Sequence, residues 1–312
     1  MLVIAGLPYA RYALEFLQVI GEQIVPHSYS RRTFLGTSLM AGATLTGVSH
    51  LARATTAGNL AVSSSKAGAS IAPPKPAFPV ADYHVHLSDH LSIEQAVNLS
   101  KERQISIGIV EHPGPGNKLN SDADLKQYID TLRAYPVRIG VQPVYPGWSK
   151  AFSKNLVDQL DYVLMDALTL PNPDGTWLPI WQIDTMVDDG EAFMTRYLPF
   201  IEQVLTTEAI DIFGWPTFLP VPIARQYAQL WTKPRMQRII DLAKSKNIAI
   251  EINEVAHVPD ESFIVLAKRA NLKFTFGSDS RTPQGAAHLY YCYQVANKCS
   301  LTEADMFVPK KK

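Results

Sequence analysis

From Ala81 onward the chain alternates short runs rich in β-branched residues with stretches of helical hydrophobic period. Few architectures accept that alternation: successive strand–helix units build a parallel sheet, open or closed into a barrel. Seven strand-like runs are legible, at 81–86, 105–110, 137–142, 162–166, 210–213, 248–252 and 273–276. Between them, 92–103 places Ile93, Ala96 and Val97 on one face behind Ser92 as an N-cap, and 234–245 repeats the pattern through Met236, Ile239, Ile240 and Ala243. The spacing predicts an α/β fold of the (β/α)7, TIM-like kind, its helices covering the strands.

The polar residues give this fold a mouth. His84 and His86, Glu111 and His112, Gln142, Asp166, Trp215, Glu251 with Asn253 and Glu254, and Asp279 all fall at or just beyond strand C-termini. In a barrel those ends converge on one face, where active sites are built. Composition narrows the chemistry. With 29 Lys+Arg against 29 Asp+Glu in 312 residues, the charge balance excludes a basic nucleic-acid binder. Cys292 and Cys299 fall on one predicted helix, where a rise of about 1.5 Å per residue holds them roughly 10 Å apart, beyond the ~7 Å reach of a disulfide. There is no G-x-S-x-G elbow and no glycine-rich phosphate loop after a strand, which argues against serine-hydrolase and P-loop chemistry.

The first 75 residues, rich in Ala, Ser, Thr and Gly, differ from the rest and contain no Asp. Within them Ser30, Arg31, Arg32, Thr33, Phe34 and Leu35 resemble a twin-arginine export signal. A mildly apolar run from Phe34 to Val48 follows, then Ala52, Arg53 and Ala54 as a small-residue cleavage site. The run is too short and too broken by Gly and Thr to span a bilayer, which takes about 20 apolar residues. The expected organisation is a signal region at 1–54, a Ser/Ala/Gly-rich and then proline-stiffened linker at 55–80, and one barrel at 81–312. Export to the periplasm, with the twin-arginine machinery as a partner, follows from the signal. The segment from Met1 to Pro26 is either an over-extended start or a membrane-surface helix.

His84 and His86 alternate on one face of a strand, and two neutral imidazoles so placed form a half-site for zinc, iron or manganese. Asp82 to Leu87, Ile107 to His112, Asp211 to Gly214, Glu251 to Asn253 and Phe276 to Ser280 together resemble the polymerase and histidinol phosphatase (PHP) family. The resemblance implies a distorted seven-stranded barrel whose mouth holds up to three metal ions and cleaves phosphate esters. It matches His84 and His86 to the opening ligand pair, His112 to the histidine ending the second strand and Asp279 to the aspartate near the last strand.

Several positions depart from the family. A bridging glutamate is replaced by Gln142, a later histidine by Asp166, Gly-His-Pro by Gly214-Trp215-Pro216, and the closing Asp-x-His by Asp279-Ser280-Arg281. One divalent ion is therefore expected rather than three, with His84, His86, Asp279, Asp166 and Glu251 as candidate ligands. His112 and Glu111 are the candidate acid–base groups, and Arg281 is the candidate binder of an anionic group on a small-molecule substrate. The stretch 169–186, with Trp177 and Trp181, is expected to hang over the mouth, where it and Trp148 and Trp215 form either an aromatic rim or ordinary packing. His257 is placed in a loop and His288 in a helix. Three functions stay open on the sequence: a metal-dependent hydrolase of a phosphoester or related ester or amide, a barrel that binds a small ligand or carbohydrate without catalysis, and a one-metal sugar isomerase using Glu251 and Glu254.

Overall fold

The computed structural model describes residues 72–310; the signal-like region and the linker up to residue 71 lie outside them. Each β-branched run closes one strand of a barrel. The strand β1 (Ala81–Val85) leads to α1 (Ile93–Arg103), β2 (Ser106–Ile109) to α2 (Asp122–Arg133), and β3 (Arg138–Val141) to the short α3 (Lys154–Val157). After β4 (Tyr162–Met165) the chain makes a hairpin of β5 (Thr169–Pro171) and β6 (Trp177–Pro179) before α4 (Gly190–Thr207). Then β7 (Ile212–Phe213) precedes α5 (Tyr227–Leu230) and α6 (Lys233–Ser245), β8 (Ala249–Asn253) precedes α7 (Glu261–Arg269), and β9 (Phe274–Gly277) precedes α8 (Tyr290–Lys298). The barrel order is β1-β2-β3-β4-β7-β8-β9, every neighbouring pair is parallel, and Asp82 opposite Phe276 closes the ring.

All seven expected strands are present, shifted by a residue or two. The Ser92 side chain caps α1 in a reciprocal capping box with Gln95, as its position before the apolar period implies. Inside the barrel, Tyr162 fills the space left by two glycines. A Cβ at Gly108 or at Gly140 would collide with its ring or hydroxyl. Tyr162 also donates its hydroxyl to the Tyr83 carbonyl at 2.8 Å and packs with Tyr83, Val110, Leu164, Ile212 and Ala249 below the mouth. The larger apolar layer lies between strands and helices, as in barrels generally.

The structure adds to the sequence reading or corrects it at four places. The segment 169–186 contains an antiparallel hairpin, Thr169 opposite Pro179 and Pro171 opposite Trp177. Three-residue strands ending in proline carry too little alternation to be read in sequence. His288 precedes α8 instead of lying in a helix. The end of the linker is tied down: Lys75 donates to the Arg103 and Gln104 carbonyls, Asn297 donates to the Pro74 carbonyl, and Phe78 packs on Phe276. Trp148 and Trp215 are buried, so the packing alternative holds for both, whereas Trp177 is 40% exposed.

Candidate metal centre

Asp82 builds the corner on which the site rests. The register of β1 shifts between Asp82 and Val85, and a bulge of this kind re-aims the side chains that follow. Asp82 is fully buried; its Oδ1 accepts the N–H groups of His84 (3.2 Å) and Ser278 (2.9 Å), and its Oδ2 accepts that of Ala287 (2.9 Å). One carboxylate thus binds β1 to the turn after β9. The same turn is held from its other end, since His86 donates its N–H to the Ser280 carbonyl at 2.9 Å. Asp279 sits there with φ at 46°, in the left-handed region.

This geometry brings His84, His86 and Asp279 together, their ligand atoms all within 4.8 Å of one another. Asp279 Oδ1 lies 3.3 Å from His84 Nε2 and 3.4 Å from His86 Nε2. Neither Nε2 makes a hydrogen bond, although both are buried, and the buried Gln142 Oε1 also lacks a donor. Buried polar atoms without partners call for a physical account, and a divalent cation supplies one for converging imidazole nitrogens and a carboxylate oxygen. The residues present fit such an ion.

The outer contacts fit it as well. His84 Nδ1 donates to Glu251 Oε1 at 2.6 Å, the carboxylate–histidine pairing that orients a metal-binding imidazole and leaves Nε2 for the ion. Glu251 Oε2 accepts the Trp215 backbone N–H at 2.8 Å, and the Trp215 indole donates to Asp279 Oδ2 at 3.2 Å. Both Glu251 oxygens are therefore engaged behind His84, and Glu251, a candidate ligand on the sequence, stands outside the three-residue cluster. A Cβ at position 277 would strike the Glu251 carboxylate and the His84 Cβ, so Gly277 permits the pairing. Asp166 also stands back from the cluster: Oδ1 accepts from Leu168 N (2.9 Å) and Oδ2 from Gln142 Nε2 (2.8 Å). Burial raises its carboxyl to about 6.

His112 and Arg281 lie beside the cluster. The His112 ring is 4.9 Å from that of His86, and its Nδ1–H donates to the Gln142 carbonyl at 2.9 Å, leaving the Nε2 lone pair open. Burial, and then the Arg281 guanidinium, hold both His86 and His112 below the ordinary imidazole range. Burial works the same way on His84, but the Asp279 and Glu251 carboxylates overcome it and raise that ring to about 9. Asp279 is held well below the usual carboxylate range; burial opposes this, and the charges of His84 and Arg281 outweigh it. Glu111 accepts from its neighbour His112 N (3.0 Å) and from Lys118 Nζ (2.6 Å), so its carboxylate fixes the loop after β2. Sequence reasoning named His84, His86 and Asp279 but assigned no contact to Asp82, Trp215 or Gly277.

Two expectations follow. Glu251→Gln weakens zinc binding by about 10- to 100-fold while leaving the ligand atoms in place, measured by competition with a chromophoric chelator. A metal must also displace the proton on His84, so zinc affinity rises with pH by about tenfold per unit and flattens above about 9, with proton release visible by calorimetry in two buffers. In the metal-free protein the sign is opposite. The stabilisation from the charged His84 is complete below its ordinary value of 6.5 and is lost as pH rises through about 9.

No family model matches the chain, and no curated protein matches it in sequence. Among solved structures it is similar to histidinol phosphate phosphatase from Lactococcus lactis subsp. lactis Il1403, crystallised with zinc, L-histidinol and phosphate. The identity is 18%, the TM-score 0.51, and the match covers 73% of this chain and 94% of that one. At that identity the likeness establishes the shared barrel fold. Two looser matches are archaeal ribonuclease P with mature tRNA (12% identity, TM-score 0.35, 73% of this chain, 94% of that one) and an HpcH/HpaI aldolase from Desulfitobacterium hafniense DCB-2 (11%, 0.36, 72%, 94%). Neither superposes well enough to bear on fold or site.

Proposed function

We propose that the chain is a divergent PHP-type hydrolase, exported, that uses one divalent ion, zinc, manganese or iron, to cleave a phosphoester. The observation that carries this reading is the convergence of His84 Nε2, His86 Nε2 and Asp279 Oδ1 without hydrogen bonds between them, with Glu251 behind His84. The barrel shared with a zinc-containing phosphatase supports it. Export rests on the motif from Ser30 to Leu35, and residues 1–54 lie outside the described part of the chain.

A divalent ion at this site would supply Lewis acidity and would make water a nucleophile near neutral pH. His84, His86 and Asp279 would hold it, and Trp215 and Glu251 fix two of those three side chains. His112 is neutral at pH 7 and has its Nδ1 proton committed to the Gln142 carbonyl. Its Nε2 accepts a proton from the attacking water and returns it to the leaving oxygen. Glu111 positions His112 through the backbone.

Two features weigh against the other two readings. Trp215 is buried with its ring against Phe218, so it offers no open face to a sugar. Glu254 caps α8 through the N–H groups of Tyr291 and Cys292, and Glu251 is occupied by His84 and Trp215, so the carboxylate pair needed for enediol chemistry is already committed. The test is hydrolysis of p-nitrophenyl phosphate by protein purified without chelator. Turnover that a chelator removes and zinc, manganese or iron restores supports the proposal. No turnover of any aryl phosphate with any of these ions contradicts it.

A further inference from the structure

The helices α6 and α7 pack side by side on the flank of the barrel, and a groove of about 430 Å³ lies between them. Its lining is mostly apolar, with Trp231 and Met236 from one side and Val265 and Leu266 from the other. Trp231 is buried, and its indole N–H finds no acceptor among the described residues. Two charges stand at the groove. Glu261 is paired with Lys298 at 2.6 Å, whereas Lys233 pairs with no described carboxylate.

The chain enters the described part of the fold beside this groove. Asn297 holds the Pro74 carbonyl, the next residue Lys298 reaches Glu261, and Glu261 lines the groove. Far upstream, Pro8 and Pro26 bracket the run 9–25. Read at helical period, its Ala13, Leu17, Ile20 and Ile24 fall at i, i+4, i+7 and i+11, the spacing of a helix that lays one face into an apolar groove. Arg11, Glu15, Gln18 and Glu22 repeat that spacing on the opposite face. This polar stripe carries one basic and two acidic groups. Helices that lie on membranes carry Lys and Arg there, so the charge favours a protein surface over a lipid one. The unpaired Lys233 offers a counter-charge at the rim.

We propose that the groove between α6 and α7 is the docking site of this chain's own residues 9–25, with Leu17 and Ile20 as the anchors. The stretch 27–71 permits it, since a Ser/Ala/Gly-rich chain of that length spans about 35 Å on average. In the uncleaved chain, docking would hold the motif from Ser30 to Leu35 against the barrel. The groove exists only once α6 and α7 have packed, so docking would couple that motif to the folded state. The inference is independent of the metal centre.

The test uses the full chain, its length verified by intact mass, with Val265→Cys combined with either Ile20→Cys or Glu15→Cys. Cys292 and Cys299 are free and buried and stay as they are. Val265 is half-buried, and circular dichroism checks that each variant folds. If residues 9–25 were merely tethered, both pairs would share one effective concentration and close their intrachain disulfides at equal rates under a mild oxidant. Docking should make the Ile20→Cys pair faster by about tenfold or more, because position 20 faces the groove and position 15 faces away. Adding Leu17→Asp, a change outside the barrel, should bring the faster rate down to the slower one. Equal rates in the two pairs overturn the inference. A disulfide between two chains instead of within one also overturns it, since the groove would then join copies. Equal rates together with sedimentation on phosphatidylcholine/phosphatidylglycerol vesicles, abolished by Leu17→Asp, would overturn it in favour of a membrane-surface helix.

Discussion

A protein with His84→Ala and His86→Ala folds, takes up no divalent ion and loses hydrolysis of p-nitrophenyl phosphate by more than the ~100-fold that removal of an outer partner of a metal site costs. The size of the effect follows from what each imidazole contributes. His84 and His86 supply two of the three converging ligand atoms, and Asp279 alone cannot hold an ion. The substitutions remove buried side chains from the mouth, above the layer of Tyr83, Tyr162 and Leu164, so the strands keep their packing. Circular dichroism separates loss of the ion from loss of the fold. Retention of zinc and of turnover by a folded double variant would place the metal elsewhere.

The second large effect is on stability. Asp82→Ala strips the acceptor from three buried N–H groups at once, those of His84, Ser278 and Ala287. Each orphaned donor costs about 1–3 kcal/mol, and with partial relaxation the sum is about 3–5 kcal/mol. For a domain of this size that is roughly 10 °C in Tm. It should be accompanied by weaker zinc binding, because β1 and the Asp279 turn are no longer held together. Burial raises the Asp82 carboxyl to about 6, yet both of its protonation states offer acceptors to these N–H groups, so the loss should persist from pH 5 to pH 8. A thermal midpoint within roughly 2 °C of wild type, a shift corresponding to less than about 1 kcal/mol, would show that the corner is held by the strands alone.

These residues also mark how far the sequence could be read. The barrel was legible because each strand is a β-branched run bounded by turns and each intervening helix shows its period, as in 92–103 and 234–245. The His84, His86 and Asp279 cluster was legible because the two histidines alternate on one strand and Asp279 follows the last strand. The surrounding contacts were not. Sequence places Glu251 at a strand end but does not reveal which imidazole nitrogen it faces, and only the 2.6 Å contact with Nδ1 separates an outer partner from a ligand. Trp215 reads as an aromatic at the rim, and its hydrogen bonds to Glu251 and Asp279 are made from a backbone at φ 47° that local pattern does not encode. Gly277 reads as a strand-end glycine until Glu251 and His84 are placed against it. The hairpin within 169–186 escaped notice because its strands are three residues long.

The central claim is that His84, His86 and Asp279 hold one divalent ion. Its most direct test is the metal content of the full chain, purified without chelator and measured by plasma mass spectrometry, beside the His84→Ala/His86→Ala variant. The account predicts close to one zinc, manganese or iron per chain in the wild type and none in the variant. A wild-type protein that holds no ion and cannot be refilled would contradict it, and the barrel would then have to be explained without a metal.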